Sequence, residues 1–398
     1  MEEENSDQNL PEENKPAPKS LTIIILVIIV FLLGLFFIAT RRGTFPGSRF
    51  FGQYVNPSPT TGPQETVQSA TAPTGKNSFG VSVDHRIPIA TRLSVAKNLG
   101  VPYYRNTAVI AGDGVTYAVE PKPIIDAGFQ VVLNVRNFDS FNPQSLQKGS
   151  INEVEVFPKD LNKYKSAVAK AIDEIKPALI VVGNEAATTQ HTSMTAQQYQ
   201  QMLNAACEVS HSKNVPCATD GTLSGTVNIY TYYYYYYLQN NPQKAESFKQ
   251  GGFEQFQMNL TADKIKERLE TNQKGLAQGS FLSWMDVYKN SAADYINIHW
   301  YSKPNAVPQA NAEAFTEAAQ VFQTVTGKPV ITNETGLRDL NTQTLTDRMQ
   351  KALDLKMPFF IYYSSGAGPA GPKALQDGNG SLNALGEAFK TFLQQHFP

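Results

Sequence analysis

Hydrophobic positions fall along the chain in two different patterns. Residues 21–40 read LTIIILVIIVFLLGLFFIAT, 20 positions with neither a charge nor a polar stripe. At ~1.5 Å per residue a helix of that length is roughly 30 Å long, the thickness of a bilayer's hydrocarbon core, so the segment predicts a single transmembrane helix. From Phe79 to Pro398, short apolar runs alternate instead with longer amphipathic stretches. The runs are FGVSVD (79–84), PYYRN (102–106), FQVVLNV (129–135), ALIVVGN (178–184), VPCATD (215–220), YINIHW (295–300), PVITNE (329–334) and PFFIYY (358–363). Eight strands, each followed by a helix-length segment, predict an α/β chain folded as a (β/α)8 TIM barrel over 79–398, not an open sheet. Stretches such as LIVV and FFIYY are apolar throughout, as parallel strands covered on both faces should be. Helical periodicity is clearest at 158–175, 195–210, 310–325 and 381–395.

One interval breaks this rhythm. Between Asp220 and Tyr295 the spacing doubles, and helices are expected around 230–240, 261–271 and 279–289. Six consecutive tyrosines, Tyr232 to Tyr237, suggest a stacking platform for sugar rings. A helix turns adjacent residues around its axis, however, so at most two or three share a face, and packing is the expected role.

Composition sharpens the organisation. Residues 41–78 are rich in Gly, Pro, Ser and Thr and predict a flexible linker. Residues 1–20 carry six acidic side chains against Lys15 and Lys19, forming a short acidic tail. A cleaved signal peptide should be basic there, with a shorter apolar core and a small-residue cleavage site, so 21–40 is expected to remain as an anchor. Lys15 and Lys19 on one side nearly balance Arg41, Arg42 and Arg49 on the other, and the flanking charges leave the orientation open.

The whole chain has 34 Lys+Arg against 35 Asp+Glu, with the acidic tail offset by a faintly basic remainder, so no nucleic-acid partner is expected. Five scattered histidines form no His-x-x-x-His pair, and two cysteines form no cluster, so neither a metal nor a cofactor is predicted. GxSxG and Walker-type motifs are absent. Cys207 and Cys217 could be a disulfide, if the domain lies outside the cytosol, or two buried thiols.

In a (β/α)8 enzyme the reactive groups stand at the C-terminal ends of the strands. The residues following these runs are Asp84 and His85, Arg105 and Asn106, Asn184 and Glu185, Asp220, His299–Trp300–Tyr301, and Asn333 and Glu334. Carboxylates at the fourth and seventh strand ends suit glycosidic cleavage, which needs one carboxylic acid to protonate the leaving oxygen and one carboxylate to attack or to activate water.

GNE at 183–185, HWY at 299–301, NETG at 333–336, Arg105 and the closing DGNGSLNALGEAF together resemble the clan A retaining glycoside hydrolases. The resemblance extends as a pattern over about 79–398. It implies Glu185 as general acid/base, with Asn184 on the sugar 2-hydroxyl, and Glu334 as the nucleophile that forms a glycosyl-enzyme intermediate. It further implies that Tyr301 donates a hydrogen bond to Glu334, that Arg105 keeps that carboxylate ionised, and that His299 lines the site near the scissile sugar.

Trp300 is expected at the mouth, where it could stack on sugar. Two features depart from the clan. FFIYYSSGAG carries no strand-eight tryptophan, so Tyr362 or Tyr363 is expected to form the subsite floor. A histidine after strand three is replaced by Asn134, Arg136 and Asn137.

The sequence therefore predicts a single-pass, membrane-anchored retaining glycoside hydrolase with an extracytoplasmic barrel, acting on a β-linked polysaccharide or oligosaccharide. A transglycosylase using the same pair and a non-catalytic glycan-binding barrel are the alternatives.

Overall fold

Ten strands among the described residues, β1 (Phe79–Val83), β2 (Tyr103–Ala111), β3 (Gly114–Tyr117), β4 (Gln130–Phe138), β5 (Leu179–Val182), β6 (Cys217–Ala218), β7 (Ile296–Asn297), β8 (Trp300–Tyr301), β9 (Val330–Gly336) and β10 (Phe360–Ser364), organise a computed structural model. It describes residues 76–84, 86–141, 154–271, 279–303, 306–365 and 373–398. The acidic tail, the predicted anchor at 21–40, nearly all of the linker and His85 lie outside the described residues. Among the described residues, no helix is long and apolar enough to cross a membrane.

Parallel pairing runs β6-β5-β4-β2-β1-β10-β9-β7. Backbone hydrogen bonds from Thr219 N to Tyr295 O and from Thr222 N to Asn297 O link the two ends. The result is the expected eight-position parallel barrel. β3 forms an antiparallel hairpin with the extended end of β2, an addition that no apolar run announces. The sixth position is broken into β7 and β8, both of which pair with β9.

Strand residues alternate between two cores. Tyr103, Val132, Leu179, Val181, Ala218, Tyr295, Ile331, Phe359 and Ile361 fill the barrel interior. Tyr104, Val131, Ile180, Val182, Val330, Phe360 and Tyr362 belong to the larger core shared with the helices. Inside, the rings of Tyr103 and Tyr295 pack on Phe359 at centroid distances of 5.2 and 6.1 Å. Gly80 admits this bulk, because a Cβ there would stand 2.5 Å from Ile361 and 2.7 Å from Tyr103. Each large side chain buried in this way contributes about 1.5–3 kcal/mol.

The helices are α1 (Ile89–Leu99), α2 (Pro121–Asp126), α3 (Leu161–Ile175), α4 (Ala196–Ser212), α5 (Ser224–Tyr233), α6 (Pro242–Gly252), α7 (Ala262–Glu270), α8 (Phe281–Asn290), α9 (Pro308–Thr326), α10 (Thr342–Asp354) and α11 (Ala384–His396). Side-chain caps set several starts: Asp160 accepts from Asn162 N and Lys163 N at α3, and Thr195 and Gln198 form a capping box at α4. Cys207 on α4 and Cys217 on β6 are joined as a disulfide, with Cα atoms 5.4 Å apart.

The tyrosine run occupies the end of α5 and a π-helical turn, Tyr234–Leu238. Tyr232 stacks on Tyr236 and Tyr233 packs at a tilt on Tyr237, while hydroxyls of Tyr232, Tyr233 and Tyr237 donate to Glu246, Glu270 and Asp263 on α6 and α7. They pack α5 and this turn against α6 and α7.

Candidate active site

Glu185 and Glu334 meet at the C-terminal mouth of the barrel, each brought there by a local irregularity. β5 is followed by Gly183 at φ +85°, and Glu185 itself has φ +48°, a left-handed conformation that is strained for a side chain of this size. Asp220, just beyond β6, holds the turn: its carbonyl accepts from Glu185 N and its carboxylate from Ala186 N. On β9 the register against β10 shifts, so that Thr332 to Thr335 spans the same interval as Phe360 to Tyr362. The extra residue is a β-bulge at Asn333–Glu334, which re-aims Glu334 into the mouth.

Glu334 accepts from Arg105 Nη1 at 2.5 Å and from the Tyr301 hydroxyl. Arg105 Nη2 also reaches Asn184 Oδ1 at 3.2 Å, tying the second, fourth and seventh strand ends together. Glu185 Oε1 faces His299 Nδ1 at 2.8 Å, and Oε2 faces His191 Nε2 at 3.0 Å. His299 fits because Gly221, at φ +90°, has no Cβ: one built there would lie 2.1 Å from His299 Nε2.

Burial alone would raise both carboxyls, but each is held below its ordinary range. Hydrogen bonds from His191 and His299 do this for Glu185, and the Arg105 and His299 charges with the Tyr301 hydrogen bond do it for Glu334. Burial would discharge His299; the Glu334 and Glu185 carboxylates outweigh it and raise its pKa.

The structure brings Glu185, Glu334, Arg105, Asn184, His299 and Tyr301 together, but it corrects three expected contacts. Trp300 is 1% exposed and packs on Phe315 of α9, away from the mouth. Tyr362 is fully buried on the outer face of β10, where it packs on Phe389, donates to Lys373 O and accepts from Leu337 N. Strand alternation turns Tyr363 inward instead, where its phenol feels the charges of Glu334, Arg105 and Asp84. His299 has no exposed surface, and its nitrogens are taken by Glu185 and Asn333, so it contacts those residues and leaves no face for a ligand.

Asp84 pairs with Arg86, and Asn106 braces Val119 through backbone hydrogen bonds. Arg136 binds the fully buried Glu155 at 2.7 Å, and Asn137 donates to Val156 O. Glu155 and Asp220 lie below the Glu185 turn; burial pushes their pKa values to about 7 and about 6. His191 and Glu155 escaped sequence reasoning because they sit in irregular segments that carry no periodicity.

Glu185, His299 and Glu334 offer atoms within 4.8 Å of one another, a spacing that a cation could bridge. Arg105 already supplies positive charge to Glu334, and both His299 nitrogens are engaged, so the arrangement suits proton transfer better than metal binding.

No family model and no curated protein matches this sequence. Among solved structures it is similar to a GH128 (subgroup II) endo-β-1,3-glucanase from Sorangium cellulosum, at 14% identity over 79% of this chain and 98% of that one, TM-score 0.47. It is also similar to an endo-β-1,4-mannanase from Thermotoga petrophila, at 12% identity over 81% and 77%, TM-score 0.45. A GH128 (subgroup I) endo-β-1,3-glucanase from Amycolatopsis mediterranei matches at 12% identity over 79% and 99%, TM-score 0.44. Likenesses this distant carry no functional argument; the chemistry rests on the mouth of the barrel.

Proposed function

We propose that this chain is a membrane-anchored glycoside hydrolase of clan A type that cleaves a β-linked glycan with retention of configuration. The observation that carries the reading is the Glu185–Glu334 pair, whose oxygens approach within 4.8 Å across the barrel mouth. Retaining enzymes hold their carboxyl groups ~5–5.5 Å apart, whereas inverting enzymes leave room for a water.

Glu334, kept anionic by Arg105 and Tyr301, attacks the anomeric carbon while Glu185 gives a proton to the departing oxygen. Glu185 then takes a proton from water as the glycosyl–Glu334 ester is hydrolysed. Asn184 stands beside Arg105, placed to meet a sugar hydroxyl, and Tyr363 replaces Tyr362 as the proposed subsite residue. The apolar segment 21–40 supports the anchor, and the Cys207–Cys217 disulfide supports a barrel outside the cytosol, since such bonds persist in oxidising compartments.

The test is full-length protein in detergent, assayed on aryl β-glycosides and β-linked polysaccharides beside Glu334→Gln and Glu185→Gln. Cleavage by wild type, with the product's anomer retained and activity lost in Glu334→Gln, is the expected result. Glycan binding without cleavage by all three proteins would contradict it.

A further inference from the structure

A general acid must carry a proton near neutral pH, yet Glu185 is surrounded by donors that favour its anion. The resolution lies behind His299, in two buried asparagines. Asn333 N donates to Asn297 Oδ1 at 3.0 Å. A backbone N–H can only donate, so this contact fixes which end of the Asn297 amide is oxygen. Asn297 Nδ2 is then the group 2.7 Å from the Asn333 side chain, and the atom receiving it must be Oδ1. That same Oδ1 lies 3.0 Å from His299 Nε2. An amide oxygen accepts and never donates, so Nε2 must bear a hydrogen. Asn333 holds this orientation although its own Nδ2 has no hydrogen-bond partner among the described residues.

We propose that Asn297 and Asn333 are positioning residues that pin a hydrogen on His299 Nε2, so that His299 Nδ1 and Glu185 Oε1 share the one proton used in acid catalysis. The inference rests on the glycosidase reading and adds where the acid proton is kept. In the resting site it lies on Nδ1, opposite a carboxylate. As the glycosidic C–O bond breaks toward the leaving oxygen and the Glu334 oxygen bonds carbon, the proton passes through Glu185 to that oxygen. His299 is left neutral with Nε2–H, and the dyad recovers its proton from the water that hydrolyses the ester.

The charged groups facing His299 are Glu185 beyond β5, Glu334 on β9 and Arg105 on β2; the carboxylates favour the imidazolium and the guanidinium opposes it. His191 touches only the far oxygen of Glu185.

Ring-15N-labelled histidine in the full-length protein in detergent tests this directly, with His299 assigned by His299→Asn. On the account given, Nε2 stays protonated from pH 5 to pH 9 while Nδ1 titrates. A neutral His299 carrying its hydrogen on Nδ1 overturns the proposal, whatever the enzyme's activity. A pinned Nε2 in a protein that cleaves no glycoside leaves the proton placement standing and removes the glycosidase reading.

Two substitutions add a kinetic readout on substrates with poor leaving groups. Asn333→Leu withdraws the acceptor from the imidazolium and should move the alkaline limb of kcat/KM down by about one pH unit; Asn333→Asp should move it up. A rate loss equal at every pH in both variants, or limbs that do not move in opposite directions, would make Asn333 merely structural. If either variant fails to fold, the wild-type ring signals still decide.

Discussion

Glu185 and Glu334 are the same residue type a few ångströms apart, and their surroundings could hardly differ more. Glu334 is held by the Arg105 guanidinium and by the Tyr301 phenol, whose pKa burial and the Glu334 charge raise well above its ordinary value. Glu185 faces two imidazoles instead, His299 and His191, and its carboxylate and that of Glu334 raise the pKa of His299. On the proposed reading one carboxylate stays an anion, whereas the other shares a proton with His299. The proposed mechanism thus gives two identical groups opposite duties through what surrounds them.

The comparison breaks most completely if Glu334→Gln remains active. Removal of the attacking carboxylate should cost ~10⁴-fold or more in kcat on every substrate. Glu185→Gln should separate substrates instead: a loss of ~10²–10⁴-fold where the leaving group needs a proton, and far less for an activated aryl leaving group. Equal losses on both substrates would remove the acid role.

Tyr301→Phe probes the Glu334 side more gently. Its hydroxyl helps hold the Glu334 carboxyl low, so its removal should raise that pKa. The acid limb of kcat/KM should then move to higher pH, with a loss of roughly 10-fold on the plateau, a hydrogen bond to a charged group being worth ~1.5–3 kcal/mol. An unmoved limb would detach Tyr301 from the ionisation of Glu334.

Neighbouring tyrosines on β10 sharpen the placement of the mouth. Tyr362→Ala should destabilise the fold by about 3–5 kcal/mol in denaturant titrations, as expected for an aromatic ring removed from a core. Tyr363→Ala should leave stability nearly intact and raise KM.

The smallest effect concerns the carboxylates below the Glu185 turn. Burial raises Glu155 from 4.5 to about 7 and Asp220 from 3.8 to about 6. A raised carboxyl binds its proton more tightly when folded, so this stabilisation is complete below the unfolded pKa and is lost as pH rises through the folded one. Wild-type Tm should carry a component that falls between about pH 4 and pH 7, and Glu155→Gln should flatten it. An unchanged slope in the variant would place the titration elsewhere.

Much of this arrangement was legible in the chain, for physical reasons. Parallel strands covered on both faces must be apolar at every position, so LIVV and FFIYY stand out, and residues just beyond them stand at the mouth of a barrel. That same uniform apolarity hides strand phase: FFIYY does not reveal which tyrosine faces inward, and the inner and outer positions had to be seen to choose Tyr363 over Tyr362. The HWY motif names its three residues without revealing that Trp300 turns toward α9. His191, Glu155 and the Asn297–Asn333 pair depend on contacts between segments far apart in sequence, which no local pattern encodes.

The division of labour between the two carboxylates is tested most directly by trapping the covalent intermediate. Full-length protein would be incubated with activated 2-deoxy-2-fluoro glycosides, digested, and mapped by mass spectrometry. The account predicts one glycosyl adduct, on Glu334, and none in Glu334→Gln. An adduct on Glu185, or release of product with inverted configuration and no adduct at all, would contradict it.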